Sequence, residues 1–194
     1  MSDEVFKDSK STTHPAAYGS APTAPVVFSD KLLARIAELK SRFPEGKHKS
    51  ALLTVLHAVQ DETDNWLSVP VMDKVAEVLN ILPIEVYEVV TFYTMYNQKP
   101  VGKYMFEFCR TSCCAIRGAE DLMEYTCDKL GVKEEEVTAD GMFSVKGTEC
   151  LGACGYAPML QLGDYYHEFL TPEKMDKLIE DCRAGRVEFY SKVN

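Results

Sequence analysis

Two short sequences organise this chain: Cys109-Arg-Thr-Ser-Cys113-Cys114 and Cys150-Leu-Gly-Ala-Cys154-Gly-Tyr-Ala-Pro158. Together they hold five of its seven cysteines. Cysteines grouped in this way point to a shared chemical partner, and the candidates are a disulfide, a zinc ion and an iron–sulfur cluster. The fold of the second half of the chain must therefore bring these two sequences together.

The composition is that of an ordinary globular protein. The 194 residues are 46% hydrophobic and 26% charged, which suffices for one domain or two small ones with a real core. The formal net charge of -9 argues against nucleic acid or an anionic membrane as the main partner. No run approaches the roughly 18–20 apolar residues of a membrane span, so we predict no direct membrane insertion.

The start of the sequence indicates the compartment. Met-Ser-Asp-Glu-Val-Phe-Lys-Asp has neither the basic nor the apolar region of a secretory signal, and it is too acidic for a mitochondrial presequence. We therefore expect a bacterial cytoplasmic address, where thiols stay reduced and structural disulfides are rare. Under those conditions clustered cysteines are more often metal ligands or redox groups.

The first half of the chain divides into a tail and a helical region. Residues 1–28 are rich in Ser, Thr, Ala and Pro, which predicts a flexible tail. Residues 29–99 carry apolar residues at helical spacing, Leu33 and Leu53 among them, and predict a helical bundle. His57 lies beside one apolar stripe and is interpreted as a buried or half-buried structural residue.

The second half, residues 100–194, follows a different pattern. Strands are predicted at 104–109 and 142–146, and a hairpin is predicted around Gly163-Asp164. Helices are predicted at 119–130 and from Thr171-Pro172 to Cys182. The order strand, helix, three strands, helix indicates a small α/β sandwich. With the helical bundle before it, the predicted fold class is α+β.

The cysteine spacing leaves more than one metal chemistry open. Four residues separate Cys109 from Cys114 and three separate Cys150 from Cys154, close to the loops of a zinc site. No Cys-x-x-Cys occurs, which argues against thioredoxin-type redox chemistry. An iron–sulfur cluster needs four thiolates, and two pairs are available. Neighbouring glycines, which let backbone N–H groups approach the sulfurs, favour a cluster without excluding zinc.

The remaining cysteines receive different interpretations. Cys113 and Cys114 compete for one ligand position, because adjacent residues do not easily bind the same metal, so one of them is spare. Cys127 and Cys182 lie at helical spacing among apolar neighbours. Both are predicted to be small core residues rather than ligands.

Several motifs resemble a known family. They are Cys109-x4-Cys114-x-x-Arg117-Gly118-Ala119-Glu120, Thr138-x-Asp140-Gly141-x-Phe143 and Glu149-Cys150-Leu151-Gly152-Ala153-Cys154-x-x-Ala157-Pro158. With Val90-Thr91-Phe92-Tyr93 and Pro100-Val101-Gly102-Lys103, they are similar to the 24-kDa-type [2Fe–2S] subunit of respiratory NADH:quinone oxidoreductase, complex I. The resemblance covers roughly residues 28–183, and Cys113 is a departure from the family motif.

The resemblance implies a fold, a ligand set and a role. The expected fold is a helical domain followed by a thioredoxin-like ferredoxin domain with one [2Fe–2S] cluster on Cys109, Cys114, Cys150 and Cys154. NADH gives up two electrons together and such a cluster accepts one, so a flavin must lie between them. The chain has no G-x-G-x-x-G sequence. FMN and NADH are therefore expected on a partner subunit, beside further peripheral-arm subunits at the inner membrane.

Two alternatives to this role remain open at the sequence level. The same module occurs in NAD-linked hydrogenases and formate dehydrogenases, which differ in assembly more than in chemistry. A different class is a structural scaffold stapled by zinc, with no redox role. Arg117, three residues after Cys114, is predicted either to raise the reduction potential of the cluster or to point outward and form an ion pair with a partner subunit or with Glu120.

Overall fold

The computed structural model of the chain describes residues 25–187. The chain divides into two compact units, Met1–Lys99 and Pro100–Asn194. Most of the predicted tail, residues 1–24, lies outside the described residues. Within the described part, no helix combines the length and the apolar character needed to cross a membrane.

The described part of the first unit is helical. Its α-helices are α1 (Asp30–Ser41), α2 (Leu52–Glu62), α3 (Val69–Leu79) and α4 (Pro83–Phe92), with a 3-10 turn at His48–Ala51. Ser29 caps α1 by accepting a hydrogen bond from the backbone N–H of Leu32 at 3.1 Å. Asn80, in the left-handed conformation with φ 53°, ends α3.

The apolar faces of these helices form the core of the first unit. They bury one continuous cluster whose members include Leu32, Ile36, Val55, Leu56 and Val75. The predicted stripes were one residue too wide, because Leu33 and Leu53 are each rotated about 100° from a buried leucine and are 39% and 36% exposed. His57 is also exposed rather than buried, and its ring lies 5.1 Å from that of Tyr96.

The second unit combines a four-stranded sheet with helices, which confirms the α+β fold class. In chain order its elements are β1 (Tyr104–Cys109), α5 (Ser112–Ile116), α6 (Ala119–Leu130), β2 (Phe143–Thr148), a 3-10 turn (Cys154–Tyr156), β3 (Leu160–Leu162), β4 (Tyr165–His167) and α7 (Pro172–Arg183). The strand order is β2-β1-β3-β4. Strands β1 and β2 are parallel, while β1 with β3 and β3 with β4 are antiparallel.

One face of this sheet carries the core of the second unit. Alternate residues of the strands point to the same side, where they pack against α6 and α7. The largest of them are Tyr104, Phe106, Phe108 and Phe143. The pairing of β1 with β2 places Cys109 opposite Thr148, so both strands end at the same edge of the domain. The loops that follow these two strand ends carry the cysteine clusters.

The outer side of β2 is lined by residues 133–138, which we call the edge segment. The backbone N–H of Glu135 donates to the carbonyl of Val145 at 2.8 Å, and the N–H of Thr138 donates to that of Phe143 at 2.9 Å. Val137 forms an antiparallel bridge with Ser144. The acidic sequence of this segment gave no strand signal, yet its backbone N–H groups satisfy the carbonyls of Phe143 and Val145 in β2.

Candidate metal centre

The first cysteine pair is buried. Cys109 is the last residue of β1 and 2% exposed, and Cys114 lies inside α5 and is 1% exposed. Both belong to a small apolar cluster with Ala119, Ala157 and Met159. The helix α5 was not predicted, and it turns the Cys114 side chain inward, so that its thiol and that of Cys109 share a hydrogen bond.

The second pair is exposed. Cys150 lies in the loop after β2, and Cys154 begins the 3-10 turn. Their Sγ atoms are 4.0 Å apart. The four predicted ligands are thus brought together as two pairs, 109 with 114 and 150 with 154. Among residues 25–187, no group of three or more His, Cys, Asp and Glu side chains is arranged to hold a single metal ion.

Backbone and hydroxyl groups donate to the sulfurs. The N–H of Gly152, a residue with φ 78°, lies 3.4 Å from the Sγ of Cys150. Thr111 Oγ1 lies 3.4 Å from the Sγ of Cys109 and also bonds to the thiol of Cys150, so this hydroxyl links the two pairs. The backbone N–H of Leu151 donates to Cys109.

These contacts divide the thiols into two kinds. The Gly152 amide and the Thr111 hydroxyl lower the pKa of Cys150. Burial opposes ionisation of Cys109, but hydrogen bonds led by that of Thr111 outweigh it and lower its pKa. Burial, together with the neighbouring Cys109, raises the pKa of Cys114 to about 11.

Cys154 stands to Cys150 as Cys114 stands to Cys109. The hydrogen bond with Cys150 is the main cause that raises the pKa of Cys154. Each pair therefore contains one thiol with a lowered pKa and one with a raised pKa, to which the hydrogen bond with the first thiol contributes. A metal must displace the proton of this hydrogen bond in each pair, because the thiolate is the ligand form.

Cys113 and Cys114, the two candidates for one ligand position, differ in burial. Cys113 is exposed and its side chain hydrogen-bonds to Cys154, whereas Cys114 is buried beside Cys109. The adjacent residues point to different sides because successive residues of a helix are about 100° apart. The choice of Cys114 as ligand stays a prediction that this geometry favours.

The other sequence predictions near the site have separate outcomes. Cys182 is 1% exposed in the core of the second unit, as predicted, while Cys127 is half-buried against that core. Arg117 is exposed, and no described residue forms an ion pair with it. The exposed side chain agrees with the outward orientation, but the ion pair predicted with Glu120 is not formed among residues 25–187. An ion pair with a partner subunit and the effect on the potential stay predictions.

Sequence reasoning predicted glycine N–H groups near the sulfurs, of which that of Gly152 is found, but it missed the other donors. Thr111 is the one that a spacing argument overlooked, although a hydroxyl residue between two cysteines of a ligand loop is a usable signal. The donors from Leu151 and Met159 are backbone N–H groups, which every residue type except proline supplies. Their positions depend on the loop conformation and could not be read from residue identity.

Comparisons with known proteins agree with this geometry. The family model of thioredoxin-like [2Fe-2S] ferredoxins matches residues 36–183. The E subunit of the NADH-quinone oxidoreductase of Rickettsia bellii is 44% identical over 156 residues, covering 80% of this chain and 93% of the relative. Its counterpart from Rickettsia prowazekii is 42% identical over 166 residues, covering 84% and 92%. The chain therefore belongs to the thioredoxin-like [2Fe–2S] ferredoxin family.

Comparison with solved structures shows which fold the chain shares. An air-oxidised NAD+-reducing [NiFe]-hydrogenase matches with a TM-score of 0.59 at 23% identity, over 69% of this chain. The chain spans 23% of that hydrogenase chain, so the likeness concerns one module of a larger protein. It confirms the predicted architecture and carries nothing about activity.

The residues present fit the cofactor of this family. A [2Fe–2S] cluster requires four thiolates, two for each iron, and the four thiols stand as two pairs. Such a centre is negatively charged, and N–H and O–H donors to its sulfurs offset that charge. Gly152, Leu151 and Thr111 supply donors of this kind. The predicted family and cofactor are thereby confirmed.

Proposed function

We propose that this chain is the 24-kDa-type iron–sulfur subunit of an NADH:quinone oxidoreductase. In this role it holds one [2Fe–2S] cluster on Cys109, Cys114, Cys150 and Cys154, and it exchanges single electrons with the flavin of a partner subunit that oxidises NADH. The observation that carries the proposal is the pairing of the four thiols at the ends of β1 and β2. The identity of more than 40% to the two rickettsial subunits, over more than nine-tenths of their length, supports the complex.

The role of the chain is to hold the redox centre rather than to perform the chemistry of NADH. When bound, the cluster supplies a one-electron couple. The residues of this chain position the four sulfurs and direct Gly152, Leu151 and Thr111 toward them. Because the chain carries a net charge of -9, these local donors are what favours adding an electron to a negatively charged centre.

The accessible side of the site indicates where electrons enter. Cys150 and Cys154 are exposed, while Cys109 and Cys114 are buried. Electron exchange is favoured on the exposed side because less protein separates the centre from a docked partner. We therefore propose that the flavin- and NADH-binding subunit approaches the Cys150 and Cys154 pair, and that further peripheral-arm subunits hold the complex at the inner face of a bacterial membrane.

The cofactor is tested on the purified chain. We expect a red-brown protein with two irons and two acid-labile sulfides per chain, and a rhombic EPR signal after reduction. Serine substitution of each proposed ligand should abolish or alter that signal. A colourless chain that binds one zinc ion would instead support the structural scaffold.

The host complex is tested by purification from the native membrane. An affinity tag on this chain should recover a flavoprotein that oxidises NADH together with quinone-reducing activity. Recovery of hydrogenase or formate dehydrogenase subunits would keep the cluster assignment and replace the complex. The two experiments therefore fail independently of each other.

A further inference from the structure

Glu134, in the edge segment, contacts both strands that lead into the cysteine loops. Its Oε1 accepts a hydrogen bond from the backbone N–H of Gly147 in β2 at 2.9 Å. The same atom accepts from Nη1 of Arg110, the residue after β1, at 3.2 Å. We propose that Glu134 is a positioning residue that, with Arg110 and Gly147, fixes the spacing between the two cysteine pairs. This inference rests on the proposed function.

The backbone of Glu134 is itself held in place. The next residue, Glu135, donates its N–H to Val145 in β2 at 2.8 Å, and Thr138 bonds to Phe143. The carboxylate of Glu134 extends this row of bonds by one step, to the N–H of Gly147. The side chain thereby continues the pairing of the edge segment with β2 up to the residue before the end of the strand.

Arg110 is the second component of the contact. Its backbone N–H donates to the carbonyl of Thr148 at 3.3 Å, which continues the pairing of β1 with β2 beyond Cys109. Its guanidinium lies over Gly147, where an added Cβ would be 2.7 Å from Nη1. Glycine at this position therefore leaves the space in which the guanidinium meets Glu134.

The contact lies between the two cysteine loops. Cys109 directly precedes Arg110, and Cys150 follows Gly147 by three residues. One carboxylate thus joins the point where the first loop leaves β1 to the point where the second leaves β2. On its other side Cys109 is fixed by its own N–H, which donates to Met159 at 3.2 Å. A metal site keeps its geometry only when such supporting contacts fix its ligands.

The exposure of the contact between Glu134 and Arg110 indicates a role in positioning rather than in the global stability of the fold. The Arg110 and Glu134 side chains are 46% and 36% exposed, and ion pairs of that exposure add little to the stability of a fold. The Gly147 N–H, however, faces the edge segment, where the carboxylate is its partner. Removing the carboxylate should therefore loosen the end of β2 and release the cluster more easily while leaving the fold intact.

The test compares Glu134→Ala with Glu136→Ala in the full chain. Glu136 lies in the same edge segment, carries the same charge and accepts a backbone hydrogen bond, from Lys133 at 2.9 Å, but that bond stays within the segment. Iron transfer from the reconstituted protein to an excess of a coloured chelator is followed with time. We expect Glu134→Ala to lose iron about fivefold faster than the wild type, and Glu136→Ala to match the wild type.

A second set of variants tests the geometry. Gly147→Ala should displace the flexible guanidinium and speed iron loss, although Glu134 remains. Arg110→Ala should do the same, and Gly147→Ala should add nothing further in the Arg110→Ala background. Additive effects of these two substitutions would contradict a shared contact.

Two readouts separate positioning from a general loss of structure. In the cluster-free chain, Glu134→Ala should accelerate hydrogen exchange at the Gly147 amide while the melting temperature stays near that of Glu136→Ala. In the loaded chain, its EPR g-values should shift. Equal iron loss and equal exchange in both glutamate variants would overturn the inference, whereas a wild type without a [2Fe–2S] cluster would overturn the proposed function.

Discussion

Cys113 and Cys114 are adjacent in sequence, but their environments differ. Cys114 is buried beside Cys109, while Cys113 is exposed near Cys154. We expect Cys114→Ser to lose the native rhombic EPR signal and part of its iron, and Cys113→Ser to keep both. Iron counting and EPR of the reduced proteins measure this. A native signal in Cys114→Ser that disappears in Cys113→Ser would move the ligand by one residue.

Phe169 has a strained backbone and a side chain that packs against Tyr156. Its φ of 48° lies in the left-handed region, which costs a residue other than glycine roughly 1 kcal/mol. The Phe169 ring contacts that of Tyr156 edge-on, with the ring centroids 5.7 Å apart, and its backbone N–H donates to the Tyr156 carbonyl. The ammonium group of Lys174 donates to the carbonyl of Phe169 at 2.8 Å. These contacts hold the turn that begins with Cys154.

The strain at Phe169 predicts an unusual order of stabilities. Phe169→Ala removes the ring and keeps the strain, whereas Phe169→Gly removes both. We therefore expect the glycine variant to be the more stable of the two, by roughly 1 kcal/mol, in denaturant unfolding. A more stable alanine variant would show that the backbone at this position is not strained in solution.

At the residue scale, spacing and chemical type predicted two groups of cysteines but left Cys113 and Cys114 as alternatives. The set of four ligands follows from the family resemblance and stays a prediction. It did not predict Thr111 or Glu134. Both act through contacts made across the fold, Thr111 with Cys150 and Glu134 with Gly147 and Arg110, which residue spacing does not encode.

Helices α6 and α7 each carry a cysteine that no metal chemistry requires. Cys182 in α7 is fully packed in the core, while Cys127 in α6 is half-buried. We expect Cys182→Ala to cost about 1 kcal/mol of unfolding free energy and Cys127→Ala to cost less. Both should keep the cluster spectrum. Loss of the cluster in either variant would show that the helix supports the metal centre.

Strand β4 ends in a histidine whose charge opposes folding. Among the described residues no group hydrogen-bonds to the buried Nε2 of His167, and burial lowers the pKa of this side chain from 6.5. The unfolded chain therefore binds a proton at a higher pH than the native chain does. The stability that neutral His167 contributes is present above pH 6.5 and is lost as the pH falls below it.

This titration predicts a difference between two histidine variants. Between about pH 7.5 and 5.5, the unfolding free energy of the wild type should fall more steeply than that of His167→Gln. His57→Gln, at an exposed position of the first unit, is the control for removing a histidine elsewhere in the chain. Denaturant unfolding of the cluster-free chain at several pH values measures the slopes. Parallel curves for all three proteins would exclude His167 as the titrating group.

At the scale of elements, long amphipathic segments were predictable and short ones were not. The helices α1 to α4, α6 and α7 have a repeated apolar face. The helix α5 has five residues, too few for a period, and two of them are cysteines that drew attention as ligands. The edge segment pairs with β2 through its backbone, although its side chains indicate an exposed charged loop.

At the scale of the molecule, the two units have separate described cores. The last buried residue in the core of the first unit is Tyr96, and the first buried residue in the core of the second unit is Tyr104. All four proposed ligands lie in the second unit. We expect a chain of residues 100–194 alone to bind the cluster with the visible and EPR spectra of the full chain. A colourless or unfolded product would show that the first unit is needed to form the site.

The arrangement of whole strands was the least predictable level. The sequence indicated four strands, but the order β2-β1-β3-β4 and the parallel pairing of β1 with β2 follow from how α6 crosses the sheet. That parallel pair decides the site, because it brings the ends of two distant strands to one edge. No local pattern near Cys109 or Cys150 carries this information.

The unequal burial of the two cysteine pairs has a consequence for biogenesis. A cluster donor that meets the folded chain reaches Cys150 and Cys154, while Cys109 and Cys114 are covered by the protein. On the proposed ligand set, the incoming iron therefore binds first to the exposed thiols of Cys150 and Cys154. The buried thiols of Cys109 and Cys114 bind it afterwards and complete the site. Loss of iron follows the same route in reverse, and a docked partner that covers the exposed pair closes that route.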